Sequence, residues 1–289
     1  MTSRSALSPL RLASGLTVIL LLVAGCSGSS TDEPPGLTYA ALGDSYVSGT
    51  VGQGAELCQR LSGRYPALVA RAVKASRFAD ASCGGATTQD IVEPANRAGR
   101  SVAAQLDDVP TSSDVITVGI GANDRALYPS IFYGCFIETT RTDKACDSAL
   151  ASATSGMTAI RQSVSATLSA VRAHAPKAEV ILVGYLRIAP ATGACPALGP
   201  AARVHQFATV EDLMARAQAT AAKEAGVRFV DVHAASAGHD SCSKDPWTNP
   251  LTAVGGDGIV LHPRSAGMKA VAALVEPYVE RAARSARQG

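Results

Sequence analysis

Short apolar runs alternate with longer Ala-rich stretches along most of this chain. Leu37–Leu42 reads as a first strand, Asp114–Gly119 as a Val/Ile-rich buried strand, and Glu179–Gly184 and Val227–Val232 as a third and a fourth. Between and after them, Asp147–Ala173, about Ala208–Ala225 and about Ser265–Arg284 have helical length and composition, and Tyr65–Ala75 reads as a further helix. Pro263 stands just ahead of the last, where its fixed φ suits a helix start. Strands separated by helices predict an α/β chain with a mostly parallel central sheet between two helix layers, because parallel strands need crossovers and helices supply them. In such a sheet a ligand binds beyond the carboxyl ends of the strands. No internal repeat or second linker breaks the alternation, so residues 37–289 read as one domain.

The first 36 residues follow a different pattern. Arg4 and Arg11 precede an apolar stretch from Leu16 to Ala24, which is short for a membrane span and fits a signal peptide over residues 1–25. It ends in Val23-Ala24-Gly25-Cys26, which resembles the lipobox of bacterial lipoproteins. That resemblance implies cleavage before Cys26 and a lipid on its thiol; the alternative is an ordinary secretory signal. Residues 26–36 are rich in Ser, Gly and Pro and read as a flexible tether. The expectation is an exported protein, held at the outer face of the cell membrane through Cys26 or released.

Composition narrows the partners. Residues 1–25 hold two of the 26 basic side chains and none of the 24 acidic ones, so the remainder carries no net charge. No Lys/Arg-rich run is present, and nucleic acid is not an expected partner. Of seven cysteines, Cys26 belongs to the lipobox-like segment and six remain. An even number in an exported chain predicts disulfides, with fifteen possible pairings. A zinc site is the rival reading, but there is no Cys-x-x-Cys pair and the histidines are scattered, so no metal or other cofactor is expected.

Candidate chemistry falls at the predicted carboxyl edge. Gly43-Asp44-Ser45-Tyr46-Val47-Ser48-Gly49 follows the first strand at once, and Gly121-Ala122-Asn123-Asp124 follows the Asp114–Gly119 strand. Cys83-Gly84-Gly85-Ala86-Thr87-Thr88 lies in a predicted loop, and Leu261-His262-Pro263 precedes the last helix. Singly, these read as two turns, a glycine turn beside a disulfide and a surface histidine. Together, in the order Ser, Gly, Asn, His, they resemble the GDSL (SGNH) family of esterases and lipases over nearly all of Leu37–Arg284, and most closely its secreted actinobacterial-type branch. Arg64-Tyr65-Pro66-Ala67-Leu68 and the segment around Trp247 share that resemblance.

The resemblance implies a three-layer, flavodoxin-like α/β/α fold and a carboxylic ester hydrolase working through an acyl-enzyme. It implies Ser45 as nucleophile, activated by His262, since a serine hydroxyl alone is a poor nucleophile near neutral pH. It implies an oxyanion hole from the N–H groups of Ser45 and Gly85 and the side-chain amide of Asn123, with Gly84 as an alternative donor. The family's usual aspartate, three residues before the histidine, is here Ile259. Asp257 is one candidate to orient His262, and the backbone carbonyl of Ile259 or a neighbour is another, giving a triad or a dyad. The family pattern also implies sequential disulfides: Cys58–Cys83, Cys135–Cys146 and Cys195–Cys242. Asp44 and Asp124 read as turn-fixing residues.

Three functions follow for weighing. The first is a monomeric lipase or esterase acting on a small acyl ester or lipid. The second is an O-acetylesterase of cell-wall or plant polysaccharide, which the 4% aromatic content, poor in stacking platforms for sugars, disfavours. The third is a non-catalytic ligand-binding lipoprotein, which would have no need of Ser45, Asn123 and His262 together. An α/β-hydrolase is disfavoured by the lack of a Gly-x-Ser-x-Gly elbow.

Overall fold

The computed structural model describes residues 36–49, 58–97, 99–253 and 255–286. The expected leader at 1–25, Cys26 and the expected tether up to residue 35 lie outside the described residues. In chain order the strands are β1 (Thr38–Gly43), β2 (Arg77–Asp80), β3 (Ala95–Arg97), β4 (Arg100–Val102), β5 (Val115–Gly119), β6 (Glu179–Val183) and β7 (Arg228–Val230). The helices are α1 (Ser45–Ser48), α2 (Tyr65–Ala72), α3 (Thr88–Val92), α4 (Leu127–Ile131), α5 (Asp143–His174), α6 (Ala201–Ala225), α7 (Val232–Ala235) and α8 (Ser265–Ala286).

Five strands form one parallel sheet in the order β2-β1-β5-β6-β7, while β3 and β4 form a separate antiparallel hairpin. Counting sheet strands alone, the order is 2-1-3-4-5, that of a flavodoxin-like doubly wound sheet. Helix α2 packs with α8 and α5 with α6, giving two helix layers that enclose the sheet. Every residue of β5 is buried, and Tyr39 of β1, Ile116 of β5 and Ile181 and Leu182 of β6 are among the sheet's fully covered side chains. This explains why the central strands are continuous apolar runs with no alternation.

The strand order reverses between β1 and β5, and register there aligns Gly43 with Gly119. A Cβ on Gly43 would lie 2.4 Å from the Gly119 carbonyl oxygen and 2.4 Å from Val47, so only glycine permits this approach. Its φ of 149° also falls where side chains are rarely tolerated. The two strand ends bearing the Ser45 and Asn123 motifs are thereby brought together at the switch point.

Four elements differ from the sequence expectation. Helix α5 begins four residues earlier, at Asp143, because the Thr142 side chain caps it by accepting from Ala145 N at 3.0 Å. Helix α6 begins at Ala201, directly after Pro200, well ahead of the expected Ala208. β2 was not expected as a strand: Arg-Phe-Ala-Asp lacks an apolar run, and it lies at the sheet edge, paired only with β1. The β3–β4 hairpin was likewise unforeseen.

Among the described residues the disulfides are Cys58–Cys83, Cys135–Cys146 and Cys195–Cys242, the sequential pairing that the resemblance implies. The first fastens the chain on the carboxyl side of Ser45 to the Gly84-Gly85 turn.

Candidate active site

The turn after β1 begins with Gly43 held on both sides. Gln105 accepts from its N–H at 2.8 Å and donates to its carbonyl at 2.8 Å. Asp44 donates its backbone N–H to the Gly119 carbonyl at 3.1 Å and caps the single turn of α1, accepting from Tyr46 N at 2.9 Å. Ser45 therefore sits at the first position of a short helix, its hydroxyl next to His262. The Ser45 Oγ to His262 Nε2 distance is 2.8 Å.

His262 Nδ1 lies 2.7 Å from the Val260 carbonyl oxygen. A carbonyl only accepts, so Nδ1 carries the proton and Nε2 is left as the acceptor for the serine hydroxyl. Burial pushes the His262 pKa down to about 4, outweighing the opposite effect of the Val260 carbonyl. The imidazole is thus neutral, in base form, across the ordinary pH range.

Asp257, one of the two candidates to orient His262, is engaged elsewhere. Its carboxylate accepts from Ser265 N at 2.8 Å and Ser265 Oγ at 2.6 Å, and lies 3.5 Å from Arg264 Nε. Partial burial would raise its pKa, but the Ser265 donors and Arg264 outweigh burial and hold the carboxyl below its ordinary value. It is an anchor for the start of α8. The carbonyl at Nδ1 is that of Val260, one residue on from Ile259; the Ile259 carbonyl instead receives His262 N at 3.2 Å and Asn249 Nδ2 at 3.2 Å.

The remaining motifs meet at the same edge. Cys83–Ala86 closes a turn, with Ala86 N donating to Cys83 O at 3.1 Å and Gly85 left-handed at φ 74° in third place, as in a type II turn. Asn123 donates one amide hydrogen to Ala86 O at 3.0 Å, which leaves its second hydrogen beside the glycine turn. The Asp124 carboxylate clasps Thr88, accepting from the Thr88 backbone N–H at 2.8 Å and from its hydroxyl at 2.6 Å. Among the described residues, the backbone N–H groups of Ser45 and Gly85 have no acceptor.

Tertiary contacts add participants the sequence did not single out. Tyr185, just beyond β6, donates its hydroxyl to Asp44 Oδ2 at 2.6 Å and accepts from Ala122 N at 3.2 Å, so one phenol links the Ser45 and Asn123 turns. Tyr46 donates to the Leu261 carbonyl at 2.6 Å, and its ring lies 5.0 Å from that of His262. Leu261 is left-handed at φ 58°, a strained setting for a branched side chain. Tyr46, inside the Ser45 motif, and Leu261, inside the His262 motif, carried a sequence signal; Gln105 and Tyr185 carried none. The other histidines have partners away from Ser45, as with His174 on Val109 O and His205 on Gly193 O.

Comparison with known proteins matches this arrangement to one group. The pattern of the GDSL-like Lipase/Acylhydrolase family fits residues 41–270, which span all four motifs. The chain belongs to that family. It is a serine ester hydrolase with the α/β/α fold of the GDSL group. A lipase of Streptomyces rimosus is 32% identical over 247 residues, covering 82% of this chain and 85% of that one. Lipase 2 of Streptomyces coelicolor is 30% identical over 279 residues, covering 89% and 91%. Among solved structures, phospholipase A1 of Streptomyces albidoflavus NA297 superposes with a TM-score of 0.71 at 27% identity, over 84% of this chain and 99% of that one. The extracellular lipase of S. rimosus gives a TM-score of 0.70 at 27% identity, over 83% and 99%. The GDSL relatives are thus of nearly the same extent as this domain.

Proposed function

We propose that this GDSL hydrolase cleaves acyl lipids or related carboxylic esters with a Ser45–His262 dyad. The observation that carries the reading is the 2.8 Å contact between Ser45 Oγ and a neutral His262 whose other nitrogen is held by the Val260 carbonyl. His262 takes the serine proton as Oγ attacks the ester carbonyl, and returns it to the departing alcohol as the acyl-enzyme forms. Water, deprotonated by the same nitrogen, then releases the acid. A carbonyl dipole in place of a carboxylate still fixes tautomer and ring orientation, which the proton transfer needs most. Negative charge on the former carbonyl oxygen is met by the N–H groups of Ser45 and Gly85 and by the free amide hydrogen of Asn123; donors of this kind are each worth about 10²–10³ in turnover. The names of the Streptomyces relatives, lipases and a phospholipase A1, favour acyl-lipid substrates.

The protein works outside the cytoplasm in this reading. Support comes from the leader-like residues 1–25, the extracellular S. rimosus relative and the disulfide content. The lipobox-like Cys26 would keep it at the membrane surface, and Cys26→Ser should release it into the medium. Hydrolysis of p-nitrophenyl esters from acetate to palmitate, with Ser45→Ala as control, tests the chemistry. Loss of activity in Ser45→Ala and fluorophosphonate labelling at Ser45 are expected; undiminished hydrolysis by the variant removes the assignment.

A further inference from the structure

The turn that presents the Gly85 N–H is made of two glycines, which hold no orientation of their own. Its central peptide, Gly84 C=O with Gly85 N–H, is the unit that rotates between type I and type II turns. Something outside the turn must hold it. The Arg97 guanidinium, carried on the β3–β4 hairpin, donates Nη1 to Gly84 O at 2.7 Å and Nη2 to Gly85 O at 3.1 Å. Nη2 also lies 2.7 Å from Asp90 Oδ2, an oxygen that accepts from Thr87 N and Thr87 Oγ1, both at 2.6 Å. The cation is itself anchored to the segment directly after the turn.

We propose that Arg97 is a positioning residue that sets and polarises the oxyanion peptide, an inference that rests on Gly85 N–H being an oxyanion donor. In a trans peptide the carbonyl and the N–H point in opposite directions. A guanidinium on Gly84 O therefore aims the Gly85 N–H away from Arg97. The same charge-assisted bond draws electron density toward the carbonyl, making the opposite N–H a stronger donor. The Arg97 and Asp90 side chains are 17% and 15% exposed and Gly84 is buried, so water only partly screens the bond to Gly84 O, while the bond to Gly85 O lies at the surface. The second bond, to Gly85 O, prevents the turn from pivoting about the first.

The test compares Arg97→Met and Arg97→Lys in the full-length protein, with Asn123→Ala in parallel. The readouts are p-nitrophenyl butyrate hydrolysis and inhibition by phenylboronic acid, whose tetrahedral adduct on Ser45 places an oxygen in the hole. Arg97→Met should lower kcat about 10- to 100-fold, less than loss of a donor itself, with KM within about twofold. Boronate affinity should fall by a similar factor, and Arg97→Lys should recover part of both losses. Wild-type kcat in Arg97→Met, or a kcat loss without loss of boronate affinity, overturns the inference. If the Met variant does not fold, Arg97→Lys decides: partial loss of both readouts supports the role, and wild-type values overturn it. The two readings fail separately. Wild-type turnover and boronate affinity in both Asn123→Ala and Arg97→Met remove the oxyanion assignment itself, whereas an impaired Asn123→Ala beside an unimpaired Arg97→Met removes only the role of Arg97.

Discussion

Replacing Asp257 with alanine separates a dyad from a triad. The Asp257 carboxylate receives two hydrogens from Ser265, at the first residue of α8, and neighbours Arg264. Its side chain is 30% exposed, which places the loss at the lower end of the range for N-terminal helix caps, about 1 kcal/mol. For a domain of this size that moves the thermal midpoint down by about 2–4 °C. Turnover should change less than about tenfold, because His262 keeps its Val260 partner. An aspartate that oriented the catalytic histidine would cost about 10⁴ in kcat when lost, as in serine proteases. The assay is p-nitrophenyl butyrate hydrolysis well below the midpoint, with melting followed by circular dichroism and His262→Ala as reference. A kcat for Asp257→Ala close to that of His262→Ala, with the melting midpoint unmoved, would refute the dyad.

Three further outcomes are expected. His262 must be neutral to accept the serine proton, so kcat/KM should rise with pH through the depressed pKa of about 4 and level off above it; an acid limb at 6.5 or higher contradicts the buried-base account. Burial raises the Asp44 pKa from 3.8 to about 7, against the Tyr185 and Tyr46 hydrogen bonds. The stability linked to its neutral form is thus complete below 3.8 and lost as pH rises through 7, a few kcal/mol in all. Asp44→Asn should therefore flatten the fall in thermal midpoint between pH 4 and 7, and an unchanged slope counts against it. Tyr46→Phe removes the hydroxyl that holds the strained Leu261 carbonyl. About 1 kcal/mol of stability and a several-fold drop in kcat at constant KM should follow, and wild-type kinetics would show that His262 needs no such brace.

Much of this protein was legible because its chemistry is local in sequence. Ser45, Gly85, Asn123 and His262 each sit in a short motif beside a strand end or a helix start, and the three enclosed strands β1, β5 and β6 announced themselves as apolar runs. A fully enclosed parallel strand must be apolar throughout, so that signal survives without any knowledge of its neighbours. The edge strand β2 and the β3–β4 hairpin lack it, since neither is enclosed in that way, and both were invisible.

The tertiary structure decided which polar groups meet. Asp257 and the backbone near Ile259 were equal candidates on spacing alone, because a chain turning through Gly255, Gly256 and Gly258 can aim a carboxylate in many directions. Only the folded turn shows the Asp257 carboxylate on Ser265 and the Val260 carbonyl on His262. Gln105, Tyr185 and Arg97 act across 62, 141 and 13 positions of sequence. No local pattern could mark them, for a hydrogen bond depends on direction and distance in space. The sequence determined the reacting groups; the fold decided what holds them in place.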